Sequence, residues 1–326
     1  MIKKRKKQVT IALVLLILSF LLLLNEVFWS EDSTKIYNIS IITRGKNSES
    51  WRMMREGIDQ AAWEMNANIS FITLSEENSV DEQSELIKRE IKNGAQAILI
   101  SPVDYEKMAQ PIEDAINKIP VILIESKVKS NKVLPSISCD NFQLGESIAN
   151  EIIEKGNING RIAIIKNNLE CSSIRERYDG FMSTIKLANN NCEFLEIIGD
   201  KQVDYYDQSK KFLEENDIDT MVTFDTGILE AIGQAKKDLS SVNETKTSIE
   251  IYGTGSTSKI ISLLEENVIS ATAMQNEFNV GYLGIKTAIG IIKGKHVENS
   301  MIYSTVVNTK NMYSNENQRL LFPFIR

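Results

Sequence analysis

Residues 36–43 read IYNISIIT, 50–65 SWRMMREGIDQAAWEM, 68–75 NISFITLS, 80–94 VDEQSELIKREIKNG, 95–101 AQAILIS, 105–118 YEKMAQPIEDAINK and 119–126 IPVILIES. Short β-branched runs alternate here with stretches in which apolar residues recur at helical spacing. A run that is apolar at nearly every position is buried on both faces, so the intervening helices must cover both sides of a parallel sheet. The spacing therefore predicts a doubly wound α/β layer. After Asp140 the alternation restarts, with NFQLGESIANEIIEKG at 141–156, RIAIIKN at 161–167, SIRERYDGFMSTIKLA at 173–188 and CEFLEIIG at 192–199. It continues through DTMVTFD at 219–225, GILEAIGQAKKDL at 227–239, IEIYGTG at 249–255, SKIISLLEEN at 258–267 and ISATAMQ at 269–275. A second lobe of the same kind is expected, closed by a last helix from about Asn279 to Lys293 and a strand pair around Met301 to Asn308.

The 326 residues are 42% hydrophobic and 25% charged, with 3 Cys, which excludes a disordered chain and a disulfide scaffold. Five cations, Lys3, Lys4, Arg5, Lys6 and Lys7, precede residue 8. Removing them from a net charge of −7 leaves −12 on the rest, a balance that disfavours nucleic acid as partner. The uncharged run Val9 to Leu24 follows. Counted to Trp29, the segment would rise about 30 Å as a helix, enough to cross a bilayer. Basic residues before it and none until Lys35 place the body outside the cell. No small-residue cleavage signal follows the run, and the first Cys is Cys139, so an uncleaved signal anchor is expected, with cleavage near Ser30 as the alternative. On this reading 1–8 is a cytoplasmic basic segment, 9–29 a transmembrane anchor and 30–35 a linker, and the protein is a single-pass membrane protein.

Catalytic chemistry has little to stand on. Cys139, Cys171 and Cys192 lack metal-site spacing, and the single His296 has no second His beside it. Gly253-Thr254-Gly255 lacks the Lys of a phosphate loop, and no Gly-x-Ser-x-Gly elbow is present. Neither an enzyme nor a cofactor or metal is expected.

Ligands of doubly wound sheets sit beyond the carboxyl ends of the strands. The residues at those places are Arg44, Asn47, Ser48 and Trp51, then Glu125 and Ser126, then Ser172 and Arg175, Asp225 and Thr226, Gly253 to Thr257, and Gln275. Polar side chains, Arg residues and aromatics together suit a neutral polyhydroxylated ligand, which needs many hydrogen bonds and an apolar face for its C–H surface.

These residues in this order, with Asp140-Asn141-x-x-x-Gly145 and Arg175-Glu176-Arg177-x-x-Gly180-Phe181, resemble the type I periplasmic sugar-binding proteins, the ribose-binding branch in particular, across residues 36–310. The resemblance implies an α/β fold of two doubly wound parallel-sheet lobes joined by three hinge crossovers, near Ser138 to Asp140, Gln275 to Asn276 and Tyr303 to Val306. Lobe 1 would be 36–138 plus 276–303, and lobe 2 139–275 plus 304–326. It further implies that Trp51 stacks on a sugar, Glu125 accepts from its hydroxyls and Arg175 donates to its oxygens. Asp225, Gln275, Asp140, Ser48 and one of Tyr205 or Tyr206 would complete the ligand-binding set. The sequence departs from the family pattern at Ser50, where an aromatic is expected, and at Gly255, where an Asp is expected. Other readings stay open for the same residues. Arg175 could cap its helix or pair with Glu176, Trp51 could be a core aromatic, Asp225 could be a helix N-cap, and Glu125 could be merely solvated. The implied partners are a pentose or hexose and one of two membrane proteins. An anchored receptor would be read by a sensor histidine kinase, whereas the alternative is a component that delivers sugar to an ABC permease. A regulator of the same fold would carry a DNA-binding helical motif where this chain carries the apolar run.

Overall fold

A computed structural model describes residues 15–20, 35–45, 49–156, 160–188, 193–198, 204–241, 248–297 and 299–321. The first sheet contains β1 (Tyr37–Ile42), β2 (Ala67–Ile72), β3 (Ala97–Ile100), β4 (Val121–Ile124), β5 (Ser136–Ser138) and β11 (Ser300–Met301). Its strands run in the order β2-β1-β3-β4-β5-β11 and all are parallel. The second contains β6 (Arg161–Lys166), β7 (Glu193–Ile198), β8 (Thr220–Thr223), β9 (Glu250–Thr254), β10 (Ala271–Gln275) and β12 (Ser304–Asn308). Here the order is β7-β6-β8-β9-β10-β12, parallel except for β12, which runs antiparallel to β10.

Ten helices among the described body residues cover the sheets: α1 (Arg52–Met65), α2 (Val80–Lys92), α3 (Ala109–Ile116), α4 (Asn141–Glu154), α5 (Ser172–Ala188), α6 (Tyr205–Glu215), α7 (Thr226–Ser240), α8 (Ser258–Glu265), α9 (Glu277–Ile292) and α10 (Asn315–Leu321). Strand pleating divides the first lobe's core in two. Ile39, Ile41, Ala97 and Leu99 pack on one face with Met54 and Ile58 of α1 and Ile285 of α9. Ile42, Ile98 and Ile100 pack on the other with Leu86 and Ile87 of α2. Helix starts are fixed by side-chain caps at the strand ends: Ser79 accepts from Glu82 N, Asp140 from Gln143 N, Thr257 from Ile260 N and Asn276 from Asn279 N.

The chain passes between the sheets after β5, after β10 and after β11, and the three passages are bonded to one another. Ile302 N donates to Ser138 O at 3.0 Å, and Asn276 N to Tyr303 O at 3.0 Å. One expectation is corrected here: β11 and β12 do not pair, because the chain changes sheets at Ile302-Tyr303 and each strand becomes an edge of a different sheet.

The membrane expectation is also corrected. Among the described residues no helix is long and apolar enough to cross a membrane. Of the segment 9–29 only 15–20 are described; these 6 helical residues rise about 9 Å, against about 30 Å of hydrocarbon, and the remainder lies outside the described residues. The single-pass membrane location is withdrawn on that finding.

Two helix pairs approach so closely that only glycine fits. A Cβ on Gly57 would lie 2.0 Å from Phe278 O and one on Gly281 2.1 Å from Met54 O, so α1 and α9 are in mutual backbone contact. In the other lobe a Cβ on Gly145 would lie 1.9 Å from Arg177 O, and one on Gly180 2.0 Å from Phe142 O. Neither contact can relax by rotating a side chain. Gly145→Ala should therefore destabilise the protein by at least about 1–3 kcal/mol, the cost of overpacking. Gly290→Ala, whose Cβ would meet only Val297 Cγ2 at 3.3 Å, should change stability far less. Denaturant titration of both variants checks this, and equal losses would mean that the helix contact is not what selects glycine.

Candidate functional site

The carboxyl ends of both sheets face a cleft of about 420 Å³. Arg44, Trp51, Asn78, Glu125 and Glu277 line it from the first lobe, and Asn168, Tyr205, Asp225 and Glu230 from the second. Three adjacent strand ends of the first sheet place its floor. Arg44 follows β1, Ser101 follows β3 and Glu125 follows β4. Arg44 Nε and Nη2 donate to the two Glu125 carboxylate oxygens at 3.4 and 3.5 Å, and Ser101 Oγ donates to Oε2 at 2.9 Å. Gln83 of α2, fully buried, holds those ends in register: its amide nitrogen donates to Thr43 O and Ser101 O, and its oxygen accepts from Val103 N.

Glu125 itself has φ 63, with Ser126 N donating to Ile124 O at 2.6 Å across it. This is a γ-turn, and a left-handed backbone at a non-glycine residue is strained by about 1–3 kcal/mol. Ser138 Oγ, at 2.8 Å, and Asn141 Nδ2, at 3.4 Å, donate to the Glu125 carbonyl and hold the turn. Glu125 is only 7% exposed. Burial by itself would raise its carboxyl, but Arg44 and Arg177 together hold it below the usual carboxylate range. The same pairing, working against burial, keeps Arg44 protonated.

Arg177 reaches this floor from the second lobe. It is 5% exposed, its Nε donates to Asn141 Oδ1 at 2.8 Å, and its Nη1 lies 3.5 Å from Thr254 Oγ1. Glu277 stands opposite at the start of α9. Burial and the neighbouring Glu125 push its carboxyl up to about 7, although a 2.9 Å hydrogen bond from Gln275 Nε2 and the positive fields of Arg177 and Arg44 oppose the shift.

Of the residues expected to bind ligand, Trp51, Glu125, Tyr205 and Asp225 line the cleft. Trp51 also belongs to the lobe core, 8% exposed, with the Arg44 guanidinium 6.0 Å from its ring. Asp225 is both wall and cap, its Oδ1 accepting from Gly227 N and Ile228 N and its Oδ2 from Asn168 Nδ2. Tyr205 accepts from Asn167 Nδ2 at 2.9 Å. The expectation that Arg175 donates into the cleft is corrected: its guanidinium lies over the Tyr105 ring, 4.5 Å from the centroid, as a contact between the lobes at the rim. Gln275 is buried behind the wall and reaches the cleft only through Glu277. Asp140 is likewise corrected. It caps α4 and lines an open groove behind the hinge with Tyr303. Ser48 lies outside the described residues.

Arg177, Glu277, Asn78 and Asn168 were missed by sequence reasoning. Arg177 had a signal, since it falls on the apolar stripe Ile174, Phe181, Ile185 of its helix and is thus directed inward. The lobes touch on both sides of the cleft. Asn78 Nδ2 donates to Asn168 Oδ1 at 3.0 Å, Tyr105 N to Glu170 O at 2.8 Å, Lys127 N to Ser172 Oγ at 2.7 Å, and across the mouth Ser258 N to Glu49 Oε1 at 3.2 Å.

Two doubly wound lobes, three bonded crossovers and a polar cleft between the strand ends define a two-lobed α/β binding protein. The chain belongs to the periplasmic binding protein domain family, which it matches over residues 39–296. Among curated relatives it is similar to the ribose import binding protein RbsB of Bacillus subtilis (strain 168), 24% identical over 283 residues, 84% of this chain and 88% of the relative. Its fold is that of a carbohydrate transporter solute binding protein from Agrobacterium radiobacter solved in complex with D-arabinose, with a TM-score of 0.81, 22% identity, and coverage of 88% of this chain and 99% of that one. It is also that of a chain in the XylFII-LytSN complex, with a TM-score of 0.75, 22% identity, and coverage of 85% and 99%.

Two predictions follow from the charges. Arg44→Ala leaves Glu125 buried beside a more distant Arg177 and should cost about 3–5 kcal/mol near neutral pH. Adding Glu125→Gln should recover much of that loss, and failure to recover it in denaturant titrations would show that Arg44 matters for packing alone. The folded pKa of Glu277 is raised, so its burial costs nothing when the carboxyl is protonated in both states and costs stability as pH rises from about 4.5 through about 7. Glu277→Gln should therefore match the parent at about pH 4 or below and exceed its stability by about 1–3 kcal/mol at about pH 8. Identical stability profiles across that range would refute the placement of the charge.

Proposed function

We propose that this protein is an extracytoplasmic sugar-binding protein of the solute-binding type that supplies an ABC permease. The observation that carries this reading is the cleft. It has room for one monosaccharide, aromatic side chains of Trp51 and Tyr205 on opposite lobes, and donors and acceptors converging from both. The import function borne by the ribose relative supports it. The reading as a receptor for a sensor kinase rested on the membrane span at 9–29 and loses that support.

A ligand touching both lobes favours the closed arrangement only by its extra affinity for that arrangement. The full chain should accordingly gain thermal stability with one member of a panel of aldoses, ketoses and their aminated forms, by about 2.7 kcal/mol at a hundredfold excess over the dissociation constant. Trp51→Ala should weaken that binding by about 1–3 kcal/mol through lost stacking area. Arg175→Ala, which loses only the rim contact with Tyr105, should cost about 0.5–1 kcal/mol. If no sugar moves the melting curve the reading fails, and equal effects of the two variants would place Arg175 on the ligand.

A further inference from the structure

The cleft wall carries an excess of negative charge. Glu49, Glu77, Glu125, Asp225, Glu230 and Glu277 line it, against Arg44 and Lys259. Arg44 is committed to Glu125, and Glu49 to Arg52 and to Ser258 at the rim. Among the described residues Asp225, Glu230 and Glu277 have no ion pair. Asp225 is held by two backbone amides and Asn168, Glu230 by the Thr257 hydroxyl, and Glu277 by the Gln275 amide. The uncompensated carboxylates therefore face the cavity from both lobes, two from the start of α7 and one from the start of α9. Arg177 forms no ion pair with them: its guanidinium bonds Asn141 and Thr254 behind the floor, and its field opposes but does not reverse the upward shift of the Glu277 carboxyl. A neutral sugar would bring no charge to pair with these carboxylates, and a sugar acid would add a further like charge. A cation on the ligand would pair with them, and a charge-assisted hydrogen bond is about twice as strong as a neutral one.

We infer, building on the sugar-binding reading, that the ligand is a polyhydroxylated ring bearing an ammonium group, an amino sugar or aminocyclitol, with the ammonium received by Glu277 and the Asp225 side of the wall. Trp51 and Tyr205 supply the faces for the ring. The Arg44–Glu125 pair supplies one donor and one acceptor set for its hydroxyls. Burial and the neighbouring Glu125 raise the Glu277 carboxyl even against the fields of Arg177 and Arg44, so the positive charge already in the wall does not offset the negative charge at this position.

Calorimetry on the full chain tests this with matched pairs: glucose against glucosamine, galactose against galactosamine, each beside its N-acetylated form as an uncharged control, and ribose. The expected result is that an aminated sugar binds at least about tenfold tighter than its neutral partner and its acetylated form, about 1.4 kcal/mol. The gap should shrink in about 0.5 M salt. Glu277→Gln, which keeps shape and removes charge, should bring the pair within about threefold of each other. If that variant does not fold, Asp225→Asn, which retains the helix cap, gives the same readout. Binding of a neutral sugar as tight as or tighter than the aminated form, or of ribose alone, overturns this inference and leaves the sugar-binding reading intact. No binding by any member overturns both. A preference for the aminated sugar that Glu277→Gln and Asp225→Asn leave unchanged overturns the assignment to these carboxylates.

Discussion

The cleft depends on one buried ion pair, Arg44 with Glu125. Its partners leave the sheet at β1 and β4, on either side of β3, whose following residue Ser101 donates to the same carboxylate. Two charges taken out of water cost more than a surface pair returns, so the pair is weak evidence for stability and strong evidence for a placed function. Its geometry is maintained by devices that contribute nothing else visible. Gln83 clamps the ends of β1 and β3, and the γ-turn at Glu125 is held from behind by Ser138 and Asn141. A left-handed glutamate survives only where its surroundings over-determine it, and here they do so from the hinge.

The hinge position of those clamps couples the floor to the arrangement of the lobes. Ser138 ends β5, Asn141 begins α4 across the first crossover, and Asn141 Oδ1 accepts from Arg177 of the second lobe. Moving the lobes apart must alter what Arg177 contributes to the Glu125 carboxylate. At the rim Asn78 and Asn168 meet amide to amide, and both have left-handed backbones, φ 57 and 53, which Asn adopts at low cost. The closed arrangement is thus made of small polar contacts, each worth about 0.5–1.5 kcal/mol, which a bound ligand can outweigh or reinforce.

The α/β layering was legible because parallel strands buried on both faces, such as AILI of β3 and VILI of β4, read as continuous apolar runs, and because the helices between them keep a regular spacing. Of the residues at the strand ends, Arg44, Trp51, Glu125 and Asp225 line the cleft. Family likeness failed where helix phase decided the outcome. Arg175 and Arg177 are about 200° apart on α5, and the glycine contact of Gly145 and Gly180 turns the Arg177 face toward α4 and the floor. Glu277 and Asn168 were invisible for a different reason: each gains its role only when an element distant in sequence is folded against it, and no local pattern marks that. Two short runs close in sequence suggest a strand pair, whereas the family resemblance puts a crossover near Tyr303 to Val306, and the chain does change sheets at Ile302-Tyr303.

Charge and closure meet at Glu277. It begins α9 immediately after the crossover at Gln275-Asn276, so it belongs to the first lobe while its hydrogen-bond donor, Gln275, ends a strand of the second. Gln275 is buried, and its other polar atom, Oε1, has no partner, so this donor is not free to turn elsewhere without leaving the carboxylate bare. Closing the lobes removes water from Glu277 in the presence of Glu125, and the carboxyl must then either take up a proton or find a cation. A positively charged ligand resolves that choice in favour of the ionised form, and the benefit exists only once the second lobe has covered the site. The selectivity of the cleft for charge and its tendency to close are therefore the same free-energy difference, expressed at one carboxylate beside the hinge.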